Sequence, residues 1–172
     1  MTTVLIGYMA SGKSSIGKKL AKKLNLPFID LDDYISEREA LSIPAIFKTK
    51  GEIYFRKIEA AILIELLQVK DDFILAVGGG TPCYGNNMEV ITKNTTSFYL
   101  RASIQTIYNK LIKPKNKYKR PLISTITTGD LKEFIAKHLF ERAQYYEQAT
   151  ITIIIDNKTK KEIVEEISSN MQ

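Results

Sequence analysis

Hydrophobic and polar positions repeat along this chain with two periods, one of strands and one of helices. Thr2–Ile6 is a short, continuous, β-branched run, the pattern of a strand buried on both faces of a parallel sheet. Ile16, Leu20 and Leu24 then recur at helical spacing while Lys18, Lys19, Lys22 and Lys23 take the other face. Pro27–Leu31 predicts a second strand that delivers Asp30 and Asp32 at its C-terminal end, with Asp33 as the expected helix cap. Asp33–Lys50 reads as short helices broken near Pro44. Gly51 is expected to open a helix through about Val69, with Ile58, Ile62 and Leu66 as its inward stripe. Phe73–Val77 is a third strand running into Gly78-Gly79-Gly80. A helix over Asn86–Lys93, a strand over Thr96–Leu100 and a helix over Ser103–Ile112 follow. Lys113–Thr128 is polar and basic and carries two prolines, so it predicts a long excursion. Gly129–Gln148 is helical, Ile151–Ile155 a fifth strand, and Lys160–Ser168 a closing amphipathic helix.

Strands alternating with helices predict an α/β fold: a five-stranded parallel sheet with helices on both faces and right-handed crossovers. Ligands in such sheets bind beyond the carboxyl ends of the strands, where Gly7–Ser14, Asp30, Asp32 and Gly78–Gly80 all fall. The 172 residues predict one domain. Its single cysteine, Cys83, excludes an internal disulfide and fits a reducing cytoplasm, and the N-terminus reads as lacking a targeting segment. No apolar run approaches the length a membrane span needs. The net charge of +6 raises a nucleic-acid reading. However, interleaved aromatic stacking motifs are missing. The densest cluster, Lys110, Lys113, Lys115, Lys117, Lys119 and Arg120, falls in the excursion and asks for another explanation.

Gly7-Tyr8-Met9-Ala10-Ser11-Gly12-Lys13-Ser14 fits the phosphate-binding pattern G-x-x-x-x-G-K-[ST]. Glycines let the backbone curl so that successive N–H groups face phosphate oxygens, and the following helix adds the positive end of its dipole. Lys13 is placed to reach the β- and γ-phosphates of ATP, and the Ser14 hydroxyl to ligate Mg2+. Gly7, Ala10, Ser11, Gly12, Lys13, Ser14 and Ser15 form the expected nucleotide set.

The loop alone does not separate a kinase from other nucleotide-binding proteins. Asp30 and Asp32, one residue apart at a strand end, supply one carboxylate for a metal and one for a substrate hydroxyl proton. Arg56 and Glu59 face each other at i, i+3 on a helix, which a surface ion pair also explains. Arg120 and Arg142 add guanidinium forks suited to phosphates and carboxylates, so several arginines with a base point to an anionic small substrate. The only histidine, His138, reads as remote from these motifs, Cys83 as incidental, and Tyr118 as the tyrosine of interest in the excursion.

In order and spacing, these residues resemble the shikimate kinase family over essentially the whole chain. The match rests on Gly7–Ser14, Asp30-Leu31-Asp32, Phe55-Arg56-Lys57-Ile58-Glu59, Gly78-Gly79-Gly80, Arg120-Pro121-Leu122 and Glu141-Arg142 with Tyr145. The resemblance implies a three-layer P-loop kinase fold and transfer of the ATP γ-phosphate to the 3-hydroxyl of shikimate, on the route to chorismate and the aromatic amino acids. It implies that Asp30 helps hold Mg2+ and that Asp32 is the base. Arg56 and Arg142 would clamp the substrate carboxylate, beside Gly78, Gly79 and Gly80, and Phe47 and Phe55 would line the pocket. Arg120 would arrive from a lid over the phosphates, and Lys110 would stand where the family often places an adenine-stacking arginine. The implied organisation is a core at about residues 1–32, 61–112 and 125–172, a substrate-binding segment at about 33–60 and a lid at about 113–124. A cytoplasmic monomer with no nucleic-acid or membrane partner is expected. A gluconate-type P-loop kinase is the alternative, and it would not need both arginines.

Overall fold

The computed structural model describes residues 2–117 and 120–171, so the expectations for Tyr118 and Lys119 lie outside the described residues. Strands β1 (Thr3–Ile6), β2 (Phe28–Asp30), β3 (Ile74–Ala76), β4 (Thr96–Arg101) and β5 (Ile151–Ile154) form one parallel sheet. Their order is β2-β3-β1-β4-β5. Central β1 is buried at every position, which is why its sequence carries no alternation. Leu5, Ile6, Ile74, Leu75, Phe98 and Leu100, all fully buried, form the middle of the core.

Register decides what meets at the rim. Leu5 pairs with Ala76, and Ala76 with Asp30, so Gly7, Gly78 and the end of β2 emerge side by side. β1 lies between β3 and β4, where the chain switches direction across the sheet, the usual place for a ligand crevice.

Helices α1 (Lys13–Leu24), α2 (Leu31–Glu39), α3 (Ile43–Leu67), α4 (Asn87–Asn94), α5 (Ile104–Leu111), α8 (Thr128–Tyr146) and α9 (Lys160–Ser169) flank the sheet. The expected excursion instead contains two short helices, α6 (Pro114–Lys117) and α7 (Pro121–Ser124), each opened by its proline. The strands and most helices stand within a residue or two of expectation, and two differences matter.

The second strand stops at Asp30, because Asp30 and not Asp33 caps α2: its side chain accepts the Asp32 N–H at 3.2 Å. Asp32 therefore lies in the first turn of a helix, and its approach to Asp30 follows from the cap and not from strand alternation. The second difference is α3, which begins at Ile43. Ser42 caps it and Pro44 occupies its first turn, where a missing N–H costs nothing. Gly51, at φ 85° and ψ 169°, is a non-helical kink that divides α3 in two, so the second part opens at Gly51 as expected.

Candidate active site

The loop after β1 turns through Gly12, whose φ of 94° caps the N-terminus of α1 in a conformation that side chains rarely adopt. One cavity is lined by Ala10, Gly12, Lys13, Ser14, Ser15, Asp30, Asp32, Gly78, Gly79, Lys110 and Arg120 among others. Eleven sequence-predicted residues thus converge there, from the ends of β1, β2 and β3, from α5 and from the segment after it. Gly7 and Ser11 sit at the base of the loop. The Gly7 carbonyl accepts from Lys13 Nζ at 2.7 Å, and the buried Ser11 hydroxyl has no hydrogen-bond partner among the described residues. Lys110 reaches across to donate to the Ala10 carbonyl at 3.2 Å. Asn116 and Lys160 join the lining unanticipated; Arg120 Nη1 donates to the Asn116 carbonyl at 2.8 Å.

Lys13 also donates to the Tyr8 carbonyl at 3.1 Å. Burial pushes its ammonium down to about 8, against the opposing pull of Asp32 and Asp30. Burial likewise pushes Asp32 up to about 6, helped by Asp30 and Glu59 and resisted by Lys13 and Arg56. A carboxylate raised this far is a better proton acceptor than a solvated one and is still mostly ionised at neutral pH. Ser14 Oγ donates to Asp30 Oδ2 at 2.5 Å, so a hydroxyl and two carboxylates present oxygen donors side by side. That donor set suits Mg2+, which takes one or two carboxylates and completes its octahedron with water and phosphate oxygens.

A second cavity adjoins the first: Arg120 lines one and Pro121 the other, and a Cβ on Gly79, in the first, would lie 3.5 Å from Arg142 Nη1, in the second. Ile43, Pro44, Phe47, Lys48, Glu52, Arg56, Tyr84, Pro121, Leu122, His138 and Arg142 line it. Helix α3 supplies Arg56 and α8 supplies Arg142, so both expected arginines face one space. Phe47 lines that space, whereas Phe55 is buried behind it, the two rings 4.6 Å apart. The sequence treats these two alike, but the helix turns one toward the cavity and the other toward the core.

Arg56 is held on several sides. Its Nη1 donates to Glu59 Oε1 at 2.8 Å, and Glu59, at 1% exposure, is no surface partner. Thr81 Oγ1 donates to the other Glu59 oxygen at 2.7 Å, and Asn87 donates to the Thr81 carbonyl at 2.9 Å. The Tyr84 ring covers the guanidinium at 3.9 Å, and the Tyr84 hydroxyl donates to Glu52. Arg56 Nε is buried without a hydrogen-bond partner among the described residues. Gly80 is glycine for a steric reason: a Cβ there would lie 2.7 Å from Arg56 Nη2.

One expectation needs correcting here. His138 is not remote, because α8 folds back over the rim and brings its Nδ1 to within 2.8 Å of the Tyr8 hydroxyl. Tyr146, which the sequence did not single out, also reaches the site: it is fully buried and donates to the Gly79 carbonyl at 2.6 Å. A turn of helix places residue 146, four after Arg142, on the arginine's face. Neither contact leaves a local signal in sequence. Cys83 lies half-buried beside the glycine loop, where burial pushes its thiol up.

Fold and rim together define an ATP-dependent kinase of the P-loop class that acts on a small molecule. The family model for shikimate kinase matches residues 9–172. A shikimate kinase of Flavobacterium johnsoniae is 49% identical over 165 residues, 95% of each chain. The crystal structure of shikimate kinase from Bacteroides thetaiotaomicron superposes with a TM-score of 0.88 at 30% identity, covering 99% of this chain and 98% of that one. Shikimate kinase from Acinetobacter baumannii, solved in complex with shikimate, gives 0.87 at 28% identity, covering 99% and 92%. The chain belongs to the shikimate kinase family, and the gluconate-type alternative falls away.

Proposed function

We propose that this chain transfers the γ-phosphate of ATP to the 3-hydroxyl of shikimate, giving shikimate 3-phosphate and ADP. The observation that carries this reading is the adjacency of two cavities. One brings Lys13 of the phosphate-binding loop together with Asp30 and Asp32 from the end of β2 and the start of α2; the next presents Arg56 and Arg142 to a single space.

In this reading the two guanidiniums bind the carboxylate of the acid bidentately and fix its ring. Asp32, at the junction of the cavities, accepts the hydroxyl proton as that oxygen attacks. The backbone N–H groups of the Gly7–Ser14 loop and the end of α1 cradle the phosphates. Lys13 leaves the carbonyls of Gly7 and Tyr8 to meet the β- and γ-phosphates, and Arg120 faces the transferring group from above. Ser14 and Asp30 would hold Mg2+, which supplies charge neutralisation between the β- and γ-phosphates. Lys110 and Lys160, on the same wall, serve the nucleotide.

The proposal divides the chain as the sequence suggests: a core, a substrate segment at about 33–60 and a lid at about 113–124. Pro121 and Leu122 of α7 already line the acid cavity, which supports a lid that closes over both substrates. Several of the cations, Lys13, Lys110, Arg120 and Lys160, line the nucleotide cavity, which explains part of the positive charge without a nucleic acid. Among the described residues no helix is long and apolar enough to cross a membrane. A cytoplasmic monomer is part of the same reading.

A coupled assay of ADP release over a panel of hydroxy acids and neutral polyols tests the proposal. Release with shikimate, and background release with polyols of similar size, is expected. Equal turnover of a neutral polyol would overturn the role of the two arginines.

A further inference from the structure

Helix α8 carries His138, Arg142 and Tyr146 four residues apart, so they fall along one stripe of the helix. The outer two are each tied to a different loop of the rim. Tyr146 donates to the Gly79 carbonyl at 2.6 Å, and His138 Nδ1 shares a hydrogen bond with the Tyr8 hydroxyl at 2.8 Å. Arg142 stands between these ties, and its Nη1 lies 3.5 Å from where a Cβ on Gly79 would be. The same point lies 3.5 Å from the Gly7 carbonyl oxygen and the Met9 nitrogen. The guanidinium therefore lies close to the junction of the glycine loop and the nucleotide loop.

Neither Tyr8 nor His138 has a part in the chemistry described so far, yet both are firmly placed. Tyr8 is 1% exposed, and its carbonyl accepts from Lys13. The imidazole is confined by the Tyr8 ring, edge-on at 5.4 Å, and by Phe134 at 5.2 Å one helical turn away. Burial and the nearby Arg142 hold the imidazole neutral, so it adds no positive charge beside the arginine. A tie between groups 130 positions apart, placed one turn before the arginine, fixes where that turn of helix sits.

We propose that His138, through its hydrogen bond to Tyr8, is a positioning residue that holds Arg142 at the acid cavity by tying α8 to the nucleotide loop. This rests on the reading of Arg142 as a carboxylate ligand. Its signature is a change in acid recognition with little change in the chemistry, because neither ring meets the transferring phosphate.

The test is steady-state kinetics with shikimate on six variants: Tyr8→Phe, His138→Ala, their double, His138→Gln, Arg142→Ala, and His138→Ala combined with Arg142→Ala. Tyr8→Phe removes one oxygen and keeps the ring, so the fold is retained; circular dichroism checks this. Tyr8→Phe and His138→Ala should each raise KM for shikimate by about five- to tenfold, the scale of one buried hydrogen bond, with kcat and KM for ATP little changed. The double should be no worse than either single, His138→Gln should recover part of the loss, and His138→Ala should add nothing once Arg142 is alanine. A KM raised by His138→Ala but not by Tyr8→Phe would mean that the ring touches the acid directly and would overturn the tie. So would additive losses, or a full His138 effect without Arg142. Shikimate kinase activity in the wild type together with variants that leave KM unchanged defeats the tie alone. A wild type inactive on shikimate defeats the substrate reading beneath it.

Discussion

Gly80→Ala separates the demands of the fold from those of the site. Gly80 has φ −89° and ψ −19°, a conformation any residue adopts, so the backbone gives no reason for glycine. Replacing it should stabilise the protein by about 0.4–1 kcal/mol, because the unfolded chain loses freedom. The added Cβ, however, would stand 2.7 Å from Arg56 Nη2 and 3.0 Å from Nη1. Ordinary contact begins at 3.4 Å, so the guanidinium must retreat by about 0.7 Å. It is pinned by Glu59 at 2.8 Å and covered by Tyr84 at 3.9 Å, so the retreat breaks its alignment with a planar carboxylate. Losing a charge-assisted hydrogen bond of this kind costs about 1.5–3 kcal/mol, or roughly 10- to 150-fold in kcat/KM for the acid. Steady-state kinetics with shikimate varied at saturating ATP, together with a thermal melt, read both effects. The expected outcome is an unchanged or raised Tm, a large loss toward shikimate and an unchanged KM for ATP. A kcat/KM for shikimate within about twofold of wild type would refute the assignment of Arg56 to the acid.

Asp32 links pH to both stability and rate. Burial pushes its carboxyl from the ordinary 3.8 up to about 6 on folding, so the fold penalises the ionised form. Stability tied to this group is full below about pH 4 and is lost as pH rises through about 6. Asp32→Asn should thus melt higher than wild type at pH 7.5 while turning over about 10²–10⁴ more slowly. The fall in wild-type kcat/KM below about pH 6 should vanish from the variant's residual activity, and a variant that keeps that limb would remove Asp32 as the base. Lys13→Ala should abolish phosphoryl transfer in a protein that is still folded by circular dichroism, since among the described residues the ammonium hydrogen-bonds only the Gly7 and Tyr8 carbonyls of its own loop. Full turnover would refute the phosphate role. Arg120→Ala should cut kcat far more than Lys115→Ala, because Arg120 lines the nucleotide cavity and Lys115 is exposed beyond it; equal effects would reduce the segment to a solvated loop.

What could be seen in the sequence was what is encoded locally. The curl of Gly7–Ser14, the pair of carboxylates and the Arg56–Glu59 spacing each lie within a few residues, and the structure brings them to one rim. The strands β1 and β3 were legible because they are buried at every position and so nearly continuously apolar. Asp30 misled because a carboxylate ending a strand and one starting a helix look identical until the Asp32 N–H is seen to be its partner. Pro44 misled because proline both ends and begins helices, and only the Ser42 cap tells which. Glu59 looked like a surface partner because its burial comes from Thr81, 22 positions away. Tyr8–His138 and Tyr146–Gly79, 130 and 67 positions apart, are products of α8 returning over the sheet and have no short-range trace.

The central claim is that the phosphoryl group goes to one hydroxyl of a carboxylate-bearing ring. Phosphorus-31 NMR of a reaction containing the purified protein, ATP, Mg2+ and shikimate tests it most directly. The expected spectrum gains ADP and a single phosphomonoester coupled to the proton at C3, in equal amounts. Release of ADP with only inorganic phosphate, or a phosphomonoester on another hydroxyl, would contradict the claim.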